Sequence, residues 1–140
     1  MKKSSPLFLV VYALLIFFSG CTQNGGTIGD IFGRWNLVEI EGENVTVPEK
    51  NGDIFFAFQS DIVMLQRDNG YHEFRFTYGS FQIDDNILRM DFPEENAAPF
   101  SETLLPRSCA LQIRKLTRKE MILEYHKSPE ENLIYYLKKW

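Results

Sequence analysis

Apolar and polar residues alternate with a period of two along much of this chain. In Leu88–Phe92, for example, the apolar side chains at 88, 90 and 92 would lie on one face and the charged side chains at 89 and 91 on the other. Because successive side chains of a β-strand point to opposite faces, this period predicts strands. We predict eight strands in total, namely Gly33–Ile40, Asp53–Phe58, Ile62–Arg67, Phe74–Ile83, Leu88–Phe92, Ala110–Leu116, Met121–His126 and Leu133–Trp140.

Short polar turns separate most of these strands, such as Gln59–Asp61, Asp68–Gly70 and Asp84–Asn86. No helical pattern between them is long enough for a parallel crossover. An all-β, eight-stranded, up-and-down antiparallel barrel is therefore the predicted fold. Closing the barrel also removes exposed strand edges, which would otherwise pair with other chains.

The fourth predicted strand, Phe74–Ile83, contains a change of parity. Its large apolar residues occupy even positions as far as Tyr78 and odd positions from Phe81. If all of them face the interior, the strand must shift by one residue between these two positions. This predicts a bulge at Gly79–Ser80, which would help the sheet to curl.

One long connection, Pro93–Pro106, interrupts the regular spacing of the strands. Its three prolines cannot donate to a strand ladder. Within it, Ser101–Leu105 is predicted to form one short helical turn capped by Ser101. Long connections of this kind are often lids or binding loops, and a plain crossover that closes one end of the barrel is the alternative.

The N-terminus is typical of an exported protein. Met1–Gly20 contains a basic start at Lys2 and Lys3 and an unbroken apolar run at Leu7–Phe18, followed by small residues. This predicts a signal peptide over residues 1–20. The run is too short to span a bilayer, which requires about 20 apolar residues.

The stretch Phe18–Cys21 resembles the lipobox of bacterial lipoproteins. The resemblance implies cleavage before Cys21, a diacylglyceryl group on its thiol and three acyl chains in all, which suffice for stable membrane anchoring. Thr22 stands where an aspartate would signal inner-membrane retention, and no acidic cluster follows, so the outer membrane and its periplasmic face are expected. A plain secretory signal with an incidental cysteine is the alternative. If Cys21 carries the lipid, residues 21–30 would form a glycine-rich tether between the lipid and the domain.

Charge and cysteine content narrow the function further. The 140-residue chain has a formal net charge of −4, and removing the two lysines of the signal leaves −6. An acidic protein of this kind lacks the basic surface that nucleic acids require. Once Cys21 is acylated, Cys109 remains alone, so no intramolecular disulfide is expected. We predict a buried, unreactive thiol for Cys109.

The sequence offers no pattern typical of a catalytic or metal site. His72 and His126 are the two histidines, and neither has a second ligand at metal-binding spacing. We expect both to be solvated residues at strand ends. The paired acids Asp84–Asp85 and Glu94–Glu95 lie in predicted turns, where acids are common. No enzymatic activity, cofactor or metal is therefore predicted.

Gly33–Trp35, at the start of the first predicted strand, has the pattern G-x-W. With this motif, which opens the first strand of lipocalins, the domain from Ile31 to Trp140 is similar to the lipocalin-like lipoproteins of Gram-negative bacteria. The segments Tyr78–Leu88, Leu116–Leu123 and Tyr135–Lys139 resemble hairpin strands of such domains. The Thr-Asp-Tyr motif of larger lipocalins is absent. In that family, an arginine late in the chain packs on this tryptophan. In this sequence, the residues nearest to that position are Lys138 and Lys139.

The resemblance implies a binding protein, and the chain is rich in aromatic residues, with 12 Phe, 6 Tyr and 2 Trp. An eight-stranded barrel is wide enough either to be packed solid or to hold one small ligand. If it holds a small hydrophobic or amphipathic ligand, the predicted lining residues are Trp35, Phe56, Phe58, Phe74, Phe76, Tyr78 and Phe92. If the core is filled, an envelope accessory or inhibitor that contacts a protein partner through its outer surface is the alternative function.

Overall fold

The computed structural model describes residues 29–42, 45–47, 54–68, 70–71, 73–93 and 98–140. The predicted signal peptide, most of the tether, Cys21, His72 and Glu94–Glu95 lie outside these residues. The described strands are β1 (Gly33–Gly42), β2 (Val45–Val47), β3 (Ile54–Gln59), β4 (Ile62–Asp68), β5 (Phe74–Asp84), β6 (Ile87–Asp91), β7 (Ser108–Leu116), β8 (Glu120–Ser128) and β9 (Glu131–Lys139), with a 3-10 helix at Ser101–Thr103. Among the described residues, no helix is long and apolar enough to cross a membrane.

Each strand pairs with its neighbour in an antiparallel sheet that closes on itself, because β1 pairs with both β3 and β9. The short strand β2 pairs with the last residues of β1, where Gly42 faces Val45. The other eight strands form the barrel, so the predicted up-and-down architecture is confirmed. All of these pairings lie between Gly33 and Lys139, and a chain that begins at Thr22 therefore contains the whole barrel.

The barrel has two distinct ends. At the N-terminal end, Gly33 pairs with Phe58 beside the Ser60–Asp61 turn, and the Trp140 backbone N–H donates to the Arg34 carbonyl over 2.9 Å. The far end carries the loop between β4 and β5 and the connection Ala98–Arg107. Because β6 pairs only with Ser80–Asp84, the first half of β5 has no β6 neighbour. At the far end, the connection that follows β6, and not β6 itself, therefore lies beside the first half of β5.

Trp35 joins the two strands that close the barrel. Its side chain is fully buried, and its Nε1–H donates to the Ile31 carbonyl oxygen over 2.7 Å. The ammonium of Lys139, on β9, lies 4.2 Å from the centroid of its ring. Lys139, rather than Lys138, thus occupies the position of the family's arginine. Burial lowers the pKa of Lys139, and nearby backbone carbonyls, including that of Asp30 at 3.2 Å, accept hydrogen bonds from it.

Gly33 has two physical reasons to be glycine. Its φ of 114° is one that side chains with a Cβ rarely adopt, and a Cβ there would lie 3.0 Å from Lys139 Cε. The glycine therefore lets the lysine side chain reach across β1 to the tryptophan. The family's opening motif is a packing requirement as well as a sequence signature.

The predicted bulge at Gly79–Ser80 is wrong. β5 pairs without a register shift from Phe74 to Asp84, so its odd-numbered residues face inward along the barrel wall. Thr77, Gly79 and Phe81 are buried, whereas the even-numbered aromatics are exposed. The interior has no room for larger side chains here, because a Cβ on Gly79 would lie 2.8 Å from the Phe92 ring. The alternating aromatic residues of β5 therefore lie on its outer face, and not on the inner face as predicted.

Register shifts occur in other strands. In β1 the pairing with β9 shifts between Leu37 and Glu39, which lets both Trp35 and Ile40 point inward. A second shift lies between Ile113 and Lys115 in β7. Neither position contains glycine, so the residue types there carried no signal of a bulge.

The predicted helical turn in the long connection is confirmed, but its predicted cap is wrong. The 3-10 helix is Ser101–Thr103, and the capping residue is Phe100, which makes no side-chain cap hydrogen bond. The Ser101 hydroxyl instead donates to Glu102 Oε2 over 3.1 Å. The charged carboxylate of Glu102 is a strong hydrogen-bond acceptor, so the Ser101 hydroxyl bonds to it and does not cap the backbone of the turn.

We expect Gly79→Ala to destabilise the barrel. The added Cβ would meet the Asp91 carbonyl oxygen at 2.5 Å and the Phe92 ring at 2.8 Å, so the backbone or the ring must shift. Overpacking of this kind costs about 1–3 kcal/mol in the free energy of unfolding, measured by urea denaturation. The control is Ser80→Ala, on the exposed face, with an expected change within about 0.5 kcal/mol. Equal stability of the two variants would contradict the close approach.

Candidate functional site

The seven predicted ligand-lining residues divide into two groups. One group is at most 2% exposed and belongs to the barrel core, namely Trp35, Phe56, Phe58 and Phe92. The other group lies on the outer face of β5, with exposed fractions of 47% for Phe74, 48% for Phe76 and 54% for Tyr78. The prediction that these last three face the interior is wrong, because β5 keeps its register past Gly79.

The buried aromatic residues pack against one another and against their neighbours. Trp35 and Phe56 are paired across β1 and β3. The rings of Phe58 and Phe81 meet edge to face, with centroids 5.0 Å apart. Phe92 lies against Gly79. These side chains form part of a single hydrophobic cluster in the middle of the barrel.

A hollow of about 310 Å³ lies at the far end of the barrel, between the first half of β5 and the connection that follows β6. We call it the far-end hollow, and its lining residues are Arg67, Arg75, Phe76, Thr77, Ala98, Pro99, Phe100, Ser101 and Glu102. Its volume falls in the range of small-molecule sites, which starts near 300 Å³. The strand wall and the connection that we predicted as a possible lid thus enclose a candidate binding site.

Two arginines stand side by side at the edge of this hollow, and Arg75 is exposed. Arg67 of β4 and Arg75 of β5 are paired directly, and both follow the inward register of Leu65 and Thr77. Like charges placed opposite each other in a sheet repel. Arg67 forms an ion pair with Glu102 of the 3-10 helix, and its side chain is 22% exposed. No carboxylate in the described part of the chain forms an ion pair with Arg75.

The carboxylate of Glu102 is held in its charged form. Its pKa lies below the usual value, chiefly because it accepts a hydrogen bond from its own backbone N–H, and further because of the Ser101 hydroxyl and the Arg67 guanidinium. Glu102 therefore stays ionised at neutral pH. Among the described residues that line the far-end hollow, two guanidinium groups and one carboxylate give one net positive charge.

Two buried polar atoms of residues that border the hollow have no hydrogen-bond partner among the described residues, namely the Thr77 hydroxyl and Arg67 Nε. Thr77 is only 4% exposed. A buried polar group without a partner costs about 1–3 kcal/mol, so native proteins rarely leave one without a reason. Both atoms can donate a hydrogen bond, and both belong to residues that border the hollow, although the atoms themselves are buried behind its surface.

The inner part of the connection is anchored in the core. The Tyr135 hydroxyl donates to the Thr103 carbonyl oxygen over 2.7 Å, and burial raises the pKa of Tyr135. The Thr103 hydroxyl donates to the Phe100 carbonyl oxygen over 2.7 Å, while Thr103 and Leu105 are buried. These contacts fix the wall that carries Glu102, so the hollow has a defined shape.

A second, more open hollow of about 520 Å³ lies over β5, β6 and β7, and Cys109 is among the residues that line it. The prediction of a buried thiol is confirmed, since Cys109 is 9% exposed and burial raises its pKa to about 12. A thiol of this kind is almost entirely protonated at neutral pH and is a poor nucleophile.

His126 is exposed and its Nδ1 lies 2.7 Å from Asn132 Oδ1.

The outer face of β4 and β5 carries an apolar surface that we call the aromatic strip, made of Ile62, Phe74, Phe76 and Tyr78. Each is roughly half exposed. Register places Met64 beside Tyr78 on the same face, and Met64 is partly buried. Contiguous exposed apolar surface often marks a contact site.

The far-end arginines were missed in the sequence, although a signal existed. Val63 and Leu65 are buried and face inward, and the same parity continues to Arg67. Arg75 stands opposite it in the hairpin. The signal was that two charged residues, one on each of two adjacent strands, stand at positions with the inward parity. It was overlooked because the aromatic residues of β5 were assigned to the inward face.

Comparison with known proteins supports the fold. A family model described as a lipocalin-like domain matches residues 15–139. No curated protein matches the sequence.

Two similar solved structures come from Bacteroides. An uncharacterized protein from Bacteroides eggerthii is 18% identical, with a TM-score of 0.64, over 79% of this chain and 99% of that one. A lipocalin-like protein from Bacteroides uniformis is 16% identical, with a TM-score of 0.63, over 80% of this chain and 100% of that one.

A third similar structure is Japanin from Rhipicephalus appendiculatus, bound to cholesterol. It is 11% identical, with a TM-score of 0.53, over 81% of this chain and 79% of that one. Identities this low show a shared fold, and the family model matches nearly the whole chain. This protein therefore belongs to the lipocalin-like domain family.

Proposed function

We propose that this protein binds a small hydrophobic or amphipathic molecule in the far-end hollow and is held in the bacterial cell envelope by a lipid on Cys21. The observation that carries the binding function is a half-open hollow of about 310 Å³ between the barrel wall and the anchored connection, whose largely polar lining suits the polar end of an amphipathic ligand. The lipocalin-like fold supports this function, since it typically serves binding rather than catalysis. One protein with a similar fold, Japanin, was solved with cholesterol bound.

The packing of the core directs the ligand to the end of the barrel. The middle is occupied by Trp35, Phe58 and their aromatic neighbours, which are almost fully buried. At the far end, by contrast, β6 does not continue along the first half of β5, and the connection leaves a space. A ligand there would contact β4, β5 and the 3-10 helix together.

We expect filling of the far-end hollow to abolish ligand binding. Ala98 lines the hollow and is exposed, so Ala98→Trp adds a large side chain there without entering the core. The measurement is native mass spectrometry of the chain from Thr22 to Trp140 after incubation with an extract of bacterial envelope lipids. The unsubstituted chain should retain a bound molecule and Ala98→Trp should retain none. The control is Arg118→Trp, at an exposed position in the turn between β7 and β8, which lines neither hollow. Two results would contradict this function. In one, Ala98→Trp and the control variant both retain a bound molecule; in the other, neither the unsubstituted chain nor the control retains one.

The anchoring part of the proposal rests on the Phe18–Cys21 stretch and has a direct test. Expressed as the full chain in a Gram-negative host, the protein should incorporate labelled palmitate and sediment with membranes. Cys21→Ser should abolish the label and move the protein to the aqueous fraction. The control is Cys109→Ala, which removes the other cysteine and should leave labelling unchanged. Equal labelling of Cys21→Ser and the unsubstituted chain would overturn lipidation at this residue.

The aromatic strip favours a second candidate function, namely contact with a protein partner through the outer surface. Ile62 and Tyr78 belong to the strip but do not line the far-end hollow. If the strip binds a partner, replacing both with serine should reduce chemical cross-linking to that protein in intact cells at least fivefold. Ile83→Ser is the matched control, because Ile83 is an exposed apolar residue of β5 outside the strip. An unchanged cross-linking pattern in the double variant would remove this candidate.

A further inference from the structure

Among the described residues, the first half of β5 is an open strand edge. β4 pairs with β5 from Phe74 to Ser80, whereas β6 pairs with it only from Ser80 onward. The described chain that lies beside the first half on this side forms no strand, since residues 98–100 are irregular and Ser101–Thr103 is a 3-10 helix. An open edge presents backbone N–H and C=O groups that can pair with another chain.

The open backbone groups belong to the aromatic residues of β5. The Phe81 N–H donates to the Asp61 carbonyl oxygen, on the β4 side, over 2.8 Å. Because the backbone groups of successive residues in a strand point to opposite sides, the odd-numbered residues of β5 bond to β4 and the even-numbered ones point away from it. Phe76 and Tyr78 therefore direct their N–H and C=O groups toward the side that β6 leaves open.

Pro93 gives a physical reason for the end of β6. Ser80 faces Asp91 in the ladder between β5 and β6, so residue 93 would face Tyr78 if the ladder continued. Proline has no N–H and cannot donate to the Tyr78 carbonyl oxygen. The ladder therefore ends at Asp91 because of the sequence that follows it.

The far-end hollow lies along this open edge. It separates Phe76 and Thr77 of β5 from Pro99 and Phe100 of the connection, and its lining is largely polar. Unpaired backbone groups of a strand edge contribute polar surface of this kind. Paired strands lie about 4.8 Å apart, so an extended segment that enters the hollow would meet the edge at hydrogen-bonding distance.

The side chains around the edge define the sequence that such a segment should have. On the outer face it would lie beside Phe76 and Tyr78 of the aromatic strip, which suits apolar residues at alternate positions. On the other face it would lie beside Arg75, which is exposed and which attracts an acidic residue and repels a basic one. Charged residues at strand edges prevent indiscriminate pairing, so Arg75 makes this edge selective.

We propose that the first half of β5 binds an extended segment of a partner protein as an added antiparallel strand, and that apolar and acidic residues alternate along this segment. The proposal rests on the second candidate function, contact with a protein partner, and names the kind of partner. The backbone of the segment pairs with Phe76 and Tyr78, and its apolar side chains extend the contact onto the aromatic strip. Because the added strand occupies the far-end hollow, it excludes a small ligand there.

The test uses a seven-residue peptide, blocked at both ends, on the chain from Thr22 to Trp140, which contains every barrel strand. The peptide has valine at its second, fourth and sixth positions, glutamate at its third and fifth, and threonine at its ends. Residues opposite Phe76 and Tyr78 in an antiparallel pair have outward side chains, so the valine N–H groups face β5 and the glutamate N–H groups face away.

Methylation of the peptide nitrogens separates backbone pairing from side-chain contact. In isothermal titration calorimetry, the affinity should fall at least tenfold when the valine nitrogens are methylated and less than threefold when the glutamate nitrogens are methylated. Lysine in place of glutamate should weaken binding at least fivefold. Equal affinities of the two methylated peptides, or no binding of the unmodified peptide, would overturn strand pairing, and equal affinities of the glutamate and lysine peptides would overturn the acidic preference.

Hydrogen exchange measured by NMR reads the edge directly. In the free protein, the amide protons of Phe76 and Tyr78 should exchange at least tenfold faster than those of Thr77 and Gly79, which point to β4. The peptide should slow exchange at Phe76 and Tyr78 at least tenfold and change it less than twofold at Thr77 and Gly79. If all four are equally protected in the free protein, the chain itself occupies the edge and the proposal fails.

Phe76→Pro and Phe76→Val form a matched pair of variants. Proline removes the N–H of the open edge and breaks no hydrogen bond to β4, whereas valine keeps the N–H. Peptide affinity should fall at least tenfold in Phe76→Pro and less than threefold in Phe76→Val. Equal affinities of the two folded variants would overturn pairing at this edge. The methylated peptides, which need no variant, decide the outcome if Phe76→Pro does not fold.

The outcomes separate strand addition from the function on which it rests. Peptide binding that is lost in the Ile62→Ser, Tyr78→Ser double variant but is unaffected by methylation of the valine nitrogens would overturn strand addition and leave the aromatic strip as a contact surface. Binding that methylation of the valine nitrogens abolishes, together with unchanged cross-linking of the double variant in cells, would remove the side-chain contact and leave strand addition standing.

Discussion

The closure of β1 onto β9 is the constraint on which the rest of the fold depends. Without it, both strands would be open edges, and the other strands could form only an open sheet. Trp35 lies on β1 at this seam, and Lys139 reaches it from β9. The cation, the ring and the carbonyl groups around them are partly withdrawn from water, which strengthens their attraction. Because the first and last strands meet here, the barrel forms only when the chain is nearly complete.

The strands could be predicted because their interior is apolar and their turns are polar. Alternation located all eight barrel strands, and the G-x-W motif identified the first one. The short strand β2 was missed, since three residues are too few for a period to show. The parity of β5 was misjudged for a physical reason. Aromatic residues were assumed to be buried, whereas the inward positions here are Thr77 and Gly79, and the Phe92 ring lies against Gly79.

The candidate site was harder to predict than the fold. A lid or binding loop at the long connection was one of two alternatives that the sequence left open, and of the seven predicted lining residues only Phe76 borders the hollow. The chemistry of the site was not predicted, since it depends on which face of β4 and β5 turns inward and on where Glu102 comes to lie. Arg67 and Arg75 are eight residues apart in the sequence, and only the register of the hairpin places them opposite each other. A lone sequence contains no direct record of that register.

The two ends of the barrel have different neighbours in the cell if Cys21 carries a lipid. The chain enters β1 at the N-terminal end, and the far-end hollow lies about 20 Å away along the seven residues of β4. The start of β1 and the far-end hollow are therefore at opposite ends of the barrel. If the barrel stood with the start of β1 toward the membrane, the hollow would lie on the side of the aqueous compartment. Its ligand would then arrive by diffusion through water, or by transfer from another protein, rather than sideways from the bilayer.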